Sequence, residues 1–186
     1  MRRLAAALTL FTLALNPACK SREAKLSPED FYADLESDDL QKAGNARIAL
    51  IKLGEPAVPR LAEMVATGTP RQQRAAANLL WTMGPQAVGA VPALADAAAS
   101  PETDLRLAAL MALGNVGPAA EPSVPALIKA LGDRDPEIRL AAVKALSAIG
   151  PGAKAALPTL KRITKLTSWG AAEEAIRRIQ GHDDPS

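Results

Sequence analysis

Few side chains in this sequence are equipped for chemistry, and they stand far apart. There is one cysteine, Cys19, whose thiol could be acylated, and one histidine, His182, beside Asp183 and Asp184, a trio that could touch a metal ion. Carboxylate pairs can serve general acid–base catalysis, but Asp38–Asp39 and Glu173–Glu174 are neighbours in sequence, and neighbours on a helix point to different sides. They read as solvated charge. The C-terminal trio is a poor metal site because a chain terminus is held by little. Nothing has the form of a glycine-rich phosphate loop or a metal-ligand spacing. The sequence therefore offers no catalytic residue, no metal site and no cofactor. What remains is recognition by Trp81 and by Arg, Lys, Leu and Met side chains, and their placement depends on the elements that carry them.

At 186 residues the chain has the length of one domain, and 48% hydrophobic content is ample for a core. Only 3% of it is aromatic. A core of Ala, Leu, Val and Ile suits closely packed helices better than an enclosed sheet, so the fold is expected to be all-α. The formal charge of +2 comes from 22 Lys and Arg against 20 Asp and Glu. Arg2 and Arg3 sit in an acid-free first segment, and setting them aside leaves the rest neutral. A nucleic-acid partner is not expected, because phosphate binding needs an excess of cation.

The first segment reads as a targeting signal over residues 1–18. Met1-Arg2-Arg3 is a positive start and Leu4 to Leu15 an uncharged, mostly apolar run. Twelve helical residues span about 18 Å, short of the ~30 Å of a bilayer core, so this is a signal-peptide pattern rather than a spanning helix. Asn16-Pro17-Ala18-Cys19 follows, and it resembles the lipobox of bacterial lipoproteins, although Asn16 stands where that motif prefers Leu. The resemblance implies lipid on Cys19 and a membrane anchor. Lys20 in place of Asp after the cysteine implies the outer membrane. Plain secretion after cleavage at Ala18 and an uncleaved anchor stay open. In each case the protein is expected to leave the cytoplasm, as a membrane-anchored lipoprotein of the cell envelope or as a periplasmic protein. Residues 19–27 are polar and aperiodic, and read as a tether. A single cysteine makes no disulfide, so packing alone must hold the domain at 28–186.

That domain is periodic. Pro59, Pro92, Pro125 and Pro158 recur at one constant interval inside a phrase of the form hydrophobic, Pro, x, Leu, which follows a Gly-Pro-x-Ala in the last three units. Such a period marks a copied supersecondary unit that buries its apolar face only against the next copy. Ser27-Pro28-Glu29-Asp30 opens a short helix carrying Phe31 and Tyr32. Long Ala-rich helices are then expected at roughly 38–53, 71–83, 103–116, 136–149 and 169–180, and shorter ones at roughly 56–66, 87–98, 120–131 and 153–165. Gly54, Gly84, Gly117 and Gly150 close long helices, where a left-handed C′ residue is expected. Pro85, Pro118 and Pro151 forbid continuation. Within the long helices three sets of residues align: Ala46, Ala76, Ala109 and Ala142; Leu50, Leu80, Leu113 and Leu146; Leu53, Met83, Val116 and Ile149. Their spacing places them on one stripe, so they are expected in the core.

Asp133-Arg134-Asp135-Pro136-Glu137-Ile138-Arg139, then Ala141-Ala142, Ala145-Leu146 and Gly150, resembles a HEAT repeat of the short kind shared with phycobilisome lyases. Leu105-Arg106-Leu107-Ala108-Ala109 carries the same signature one unit earlier, and the likeness spans about residues 44–165. It implies an armadillo/HEAT-type right-handed α–α superhelix of about four to five helical hairpins. It also implies that Arg106, Arg139 and Asp133 pair between units as a structural ladder. Gln73 stands where the signature has Arg, and the turn from Gly54 to Pro59 is three residues shorter than its counterparts.

In that family the long helices line the concave side. The residues opposite their buried stripe are then Arg74, Asn78 and Trp81, Leu107, Met111 and Gly114, and Leu140, Lys144 and Ser147. Trp81 is either an anchor for a peptide or a ring packed over a small-residue gap. Trp169, at the start of the last helix, is expected to cover the final exposed core face. Groove cations are mainly Arg74 and Lys144, too few for the DNA-binding members of the fold. The expected function is a non-enzymatic, protein-binding scaffold or adaptor, and a monomer. A small-ligand or accessory subunit of a periplasmic enzyme system, and a plain structural spacer, are the alternatives.

Overall fold

Proline and glycine divide the chain into helices that stack. The structure, a computed structural model, describes residues 28–167 and 169–181. The leader, Cys19, the tether and His182 lie outside the described residues. All regular elements among the described residues are helical. A short helix, α1 (Pro28–Asp34), leads into α2 (Leu40–Leu53), and α3 (Val58–Thr67) follows. Then come α4 (Pro70–Met83), α5 (Val91–Ala97), α6 (Thr103–Val116), α7 (Val124–Ala130), α8 (Pro136–Ile149), α9 (Leu157–Leu166) and α10 (Gly170–Ile179).

Local chemistry sets the starts. Thr69 and Gln72 form a reciprocal capping box at α4, and the Asp135 side chain accepts from the Glu137 N–H at 2.8 Å to cap α8. Helix α2 begins at Leu40 and not at residue 38, because Asp39 is its cap and accepts from the Gln41 N–H at 2.9 Å. The paired carboxylates Asp38 and Asp39 therefore precede the helix.

The last three short helices differ from the expected ones in their first four residues, which belong to seven-residue 3₁₀ segments that begin at the closing glycine. Gly84–Ala90, Gly117–Ser123 and Gly150–Ala156 are 3₁₀ segments. An α-helix begun at 87 would need Pro92 to donate to the Val88 carbonyl, and proline has no N–H and would clash there. The α-helix starts instead at Val91, with Pro92 in its first turn where no bond is lost. The closing glycines also differ from expectation. Gly84, Gly117 and Gly150 have φ of 58°, 74° and 68° with ψ of −127°, −139° and −135°. This is the mirror image of the extended region rather than the left-handed helix, and side chains disfavour it more strongly.

Long helix lies on long helix: α4 on α6, α6 on α8, α8 on α10. Each short helix packs on the long helix that follows it. Gly114 shows how close the long helices come, since a methyl added there would lie 3.4 Å from the Ala145 Cα. Eleven of the twelve aligned stripe residues are buried, from Ala46, Leu50 and Leu80 to Leu146 and Ile149. The exception is Leu53, which is 39% exposed. Its turn, Glu55–Ala57, is a single 3₁₀ turn of three residues where the later units have seven, so the end of α2 lacks the cover given to Met83, Val116 and Ile149. Lys42 and Asn45 of α2 stand in register with Leu105 and Ala108, which are buried in α6. Polar residues there fit an end unit with no earlier long helix among the described residues to pack against.

The stretch Pro136–Leu166 is long and apolar enough by count for a membrane-spanning helix. Here it is α8 and α9, broken at Gly150. Gly44 lies in the interior of α2 with nothing within 4 Å of an added methyl. Gly44→Ala is expected to raise the unfolding free energy by about 0.5–1 kcal/mol in a urea titration, since it removes backbone freedom from the unfolded chain only.

Candidate functional site

Helical register places the recognition residues on one side of the long helices. Stepping back one repeat at a time, with the shortened first turn allowed for, aligns Leu140, Leu107, Arg74 and Gly44, then Lys144, Met111, Asn78 and Ile48, then Ser147, Gly114, Trp81 and Ile51. The solvent side of a surface helix normally carries charge. Here it is largely apolar, with Ile48 54%, Trp81 38% and Met111 37% exposed.

Two shallow depressions run along this face. One, of about 480 Å³, is lined by Trp81, Leu107, Met111, Gly114, Leu140 and Lys144 among others. The second, of about 500 Å³, takes in Arg74 and Asn78 with Leu40 and Arg47. Leu107 and Met111 line both and join them. All seven expected groove residues, Arg74, Asn78, Trp81, Leu107, Met111, Leu140 and Lys144, thus border one continuous surface. Trp81 stands outside the apolar core and lines the depression beside Gly114. Its carbonyl accepts from Asn115 Nδ2 at 3.0 Å, which ties the end of α4 to α6.

Sequence reasoning missed the first unit's share, Leu40 and Arg47, and Glu137 at the other end. The signal was present in α2, which holds no acidic residue and places Ile48 and Ile51 in register with Asn78 and Trp81. The shortened first interval hid it.

Arg74 is not free. Its Nη1 lies 2.9 Å from Asp104 Oδ2, and Arg71 Nη2 lies 2.7 Å from Asp38 Oδ1, so both cations are spent on joining neighbouring units. These pairs are exposed and contribute little to stability. Arg47 and Lys144 are the groove cations with no ion-pair partner among the described residues, against Glu137 at the rim. That charge is far short of what counterion release from a nucleic acid requires.

The arginine ladder is partly formed. Arg106 Nε lies 3.1 Å from Asp133 Oδ2, out of line for a hydrogen bond, with both side chains largely buried. Arg106 Nη1 also donates to the Ser100 and Pro101 carbonyls at 2.9 and 3.1 Å. Arg139 repeats the second role only: its Nη1 donates to the Asp133 and Arg134 carbonyls, both at 2.9 Å. Its expected pairing with the next unit is absent among the described residues, because the position one repeat beyond Asp133 is Leu166. Gln73, in the same place one unit before Arg106, donates to the Val65 carbonyl at 3.1 Å.

Trp169 caps the array less completely than expected. It precedes α10, is half-buried against the core, and borders an open cleft with Leu140 and Ile163. No group of three or more His, Cys, Asp or Glu that could hold a metal occurs among the described residues. Glu174 of the adjacent acidic pair is bound to Arg177.

Known proteins with this architecture give the comparison its content. A chain in the complex of CpcE and CpcF of phycocyanin lyase from Nostoc sp. PCC7120 superposes with a TM-score of 0.62 at 22% identity, covering 82% of this chain and 97% of that one. A designed armadillo repeat protein in complex with the peptide (KR)4 superposes with a TM-score of 0.62 at 14% identity, covering 89% and 85%. No curated protein matches the sequence. The family model for HEAT repeats matches residues 91–179, starting after Gln73 and running through α10. The chain is an all-α solenoid of the armadillo and HEAT type, and residues 91–179 match the HEAT repeats.

Proposed function

We propose that this protein is a non-enzymatic scaffold that holds an extended segment or helix of another protein along the groove of its long helices. The observation that carries this reading is the joined surface from Leu40 to Lys144, largely apolar around Trp81, Leu107, Met111 and Leu140, where a solvated helix face would be charged. Large aromatic and aliphatic side chains in such a place are the usual anchors of a peptide. Two similar folds support it: one is solved in a complex of CpcE with CpcF, the other with a bound peptide. The leader pattern and Cys19 extend the proposal to an exported protein, anchored by lipid to the cell envelope through the tether at 19–27, with the outer membrane favoured. It needs no cofactor.

The test is a titration of the protein with extended envelope-protein peptides, followed by Trp81 fluorescence in a Trp169→Phe background and, to compare variants, by isothermal titration calorimetry. Saturable change is expected, and Trp81→Ala should weaken binding by about 2 kcal/mol or more, roughly thirtyfold in Kd. Binding that survives Trp81→Ala and Leu140→Asp unchanged would move the partner off this face. The envelope address is tested separately, by whether Cys19→Ser releases the protein from membranes into the soluble fraction.

A further inference from the structure

The unformed rung of the ladder marks a second site. Positions 106 and 139 are the same place in successive units, and each arginine holds the two carbonyls of its own turn through Nη1. Arg106 has its remaining charge met by Asp133 of the next unit. Arg139 meets Leu166 there, and no carboxylate pairs with it among the described residues. Leu166 also borders a cleft. Leu131, Leu140, Ile163, Leu166 and Trp169 surround about 610 Å³, and Arg139 is the one charged residue of its lining among the described residues. That volume lies in the range of small-molecule sites, and a small number of polar groups in an apolar wall is their usual composition. Leu166 is 79% exposed at its mouth. This large, open aliphatic side chain lies beside a half-buried tryptophan and a guanidinium with no carboxylate partner among the described residues.

We propose that this cleft binds an alkyl carboxylate, with the chain against Leu140, Ile163 and Trp169 and the carboxylate on Arg139 in place of the missing acid. A guanidinium presents forked donors that suit a carboxylate, and its Nη2 and Nε are not used by the turn. The site lies apart from the groove described above, although Leu140 lies on the wall between them.

Decanoate and decanol, matched in chain length, test this on the full chain with Trp169 fluorescence read in a Trp81→Phe background. Decanoate is expected to saturate and to bind about tenfold or more tightly than decanol, the value of a hydrogen-bonded charge. Two variants remove the preference by different routes. Arg139→Gln installs the residue that Gln73 already is at this place in another unit. Leu166→Asp restores the rung seen at Asp133, leaves the turn's carbonyl bonds intact and should add thermal stability. In both, the ratio of decanoate to decanol affinity is expected to fall to near one. Equal binding of the two in the parent protein, no saturable response, or a preference that persists in Leu166→Asp would overturn the assignment.

Discussion

Leu113→Ala is expected to lower the unfolding free energy by about 2–5 kcal/mol, and Leu53→Ala by less than about 1 kcal/mol. The two residues occupy neighbouring places in the same stripe pattern, yet Leu113 of α6 is fully buried between α4 and α8 while Leu53 is 39% exposed. Truncating Leu113 removes apolar contacts on both sides and leaves a cavity that small Ala-rich neighbours cannot collapse to fill. Truncating Leu53 removes a side chain that solvent already reaches. Equilibrium urea denaturation followed by far-ultraviolet circular dichroism measures both. Similar losses at the two sites would contradict an array whose units complete one another's interiors.

Gly117→Ala is expected to cost about 1–3 kcal/mol, although nothing lies within 4 Å of the added methyl. The loss is conformational: φ of 74° with ψ of −139° is a region that only glycine adopts freely. Gly44→Ala adds the same methyl to equally open space on an ordinary helical backbone, and should stabilise. Opposite signs for one chemical change separate backbone strain from crowding. If both substitutions were neutral in thermal denaturation, the closing turn of α6 would not have the geometry described. Gly84 and Gly150 should behave as Gly117 does, since the three turns share it.

The two proposals assign recognition to the groove that runs along the long helices and to the cleft at the C-terminal end of the stack. Of the two cations that the sequence placed in the groove, Arg74 is paired with Asp104, while Lys144 has no ion-pair partner among the described residues; Arg71, not placed there from the sequence, pairs with Asp38. At the C-terminal end the reverse holds, where Arg139 is freed by an aliphatic residue in the partner's place.

Periodicity made the architecture readable before any coordinates. Copied prolines and glycines set where helices stop, and a helix face that recurs in every unit must pack on its own copies, so the core from Ala76 to Ile149 follows from counting, while the groove positions from Arg74 to Lys144 needed the HEAT resemblance as well. Counting treats all units as equal. It placed Leu53 inside because it has no measure of how three missing residues uncover a helix end, and the HEAT resemblance implied a partner for Arg139 where one more repeat from Asp133 reaches Leu166. It could not tell that Arg74 is neutralised, since an ion pair depends on where two helices actually cross. Nor could it find the 3₁₀ segments, where one missing N–H at Pro92, Pro125 or Pro158 decides against an α-helix that the apolar spacing otherwise favours. Local pattern reports what a residue must bury or avoid; which neighbour meets it, and which side chain is left unmatched, is settled only when the units dock.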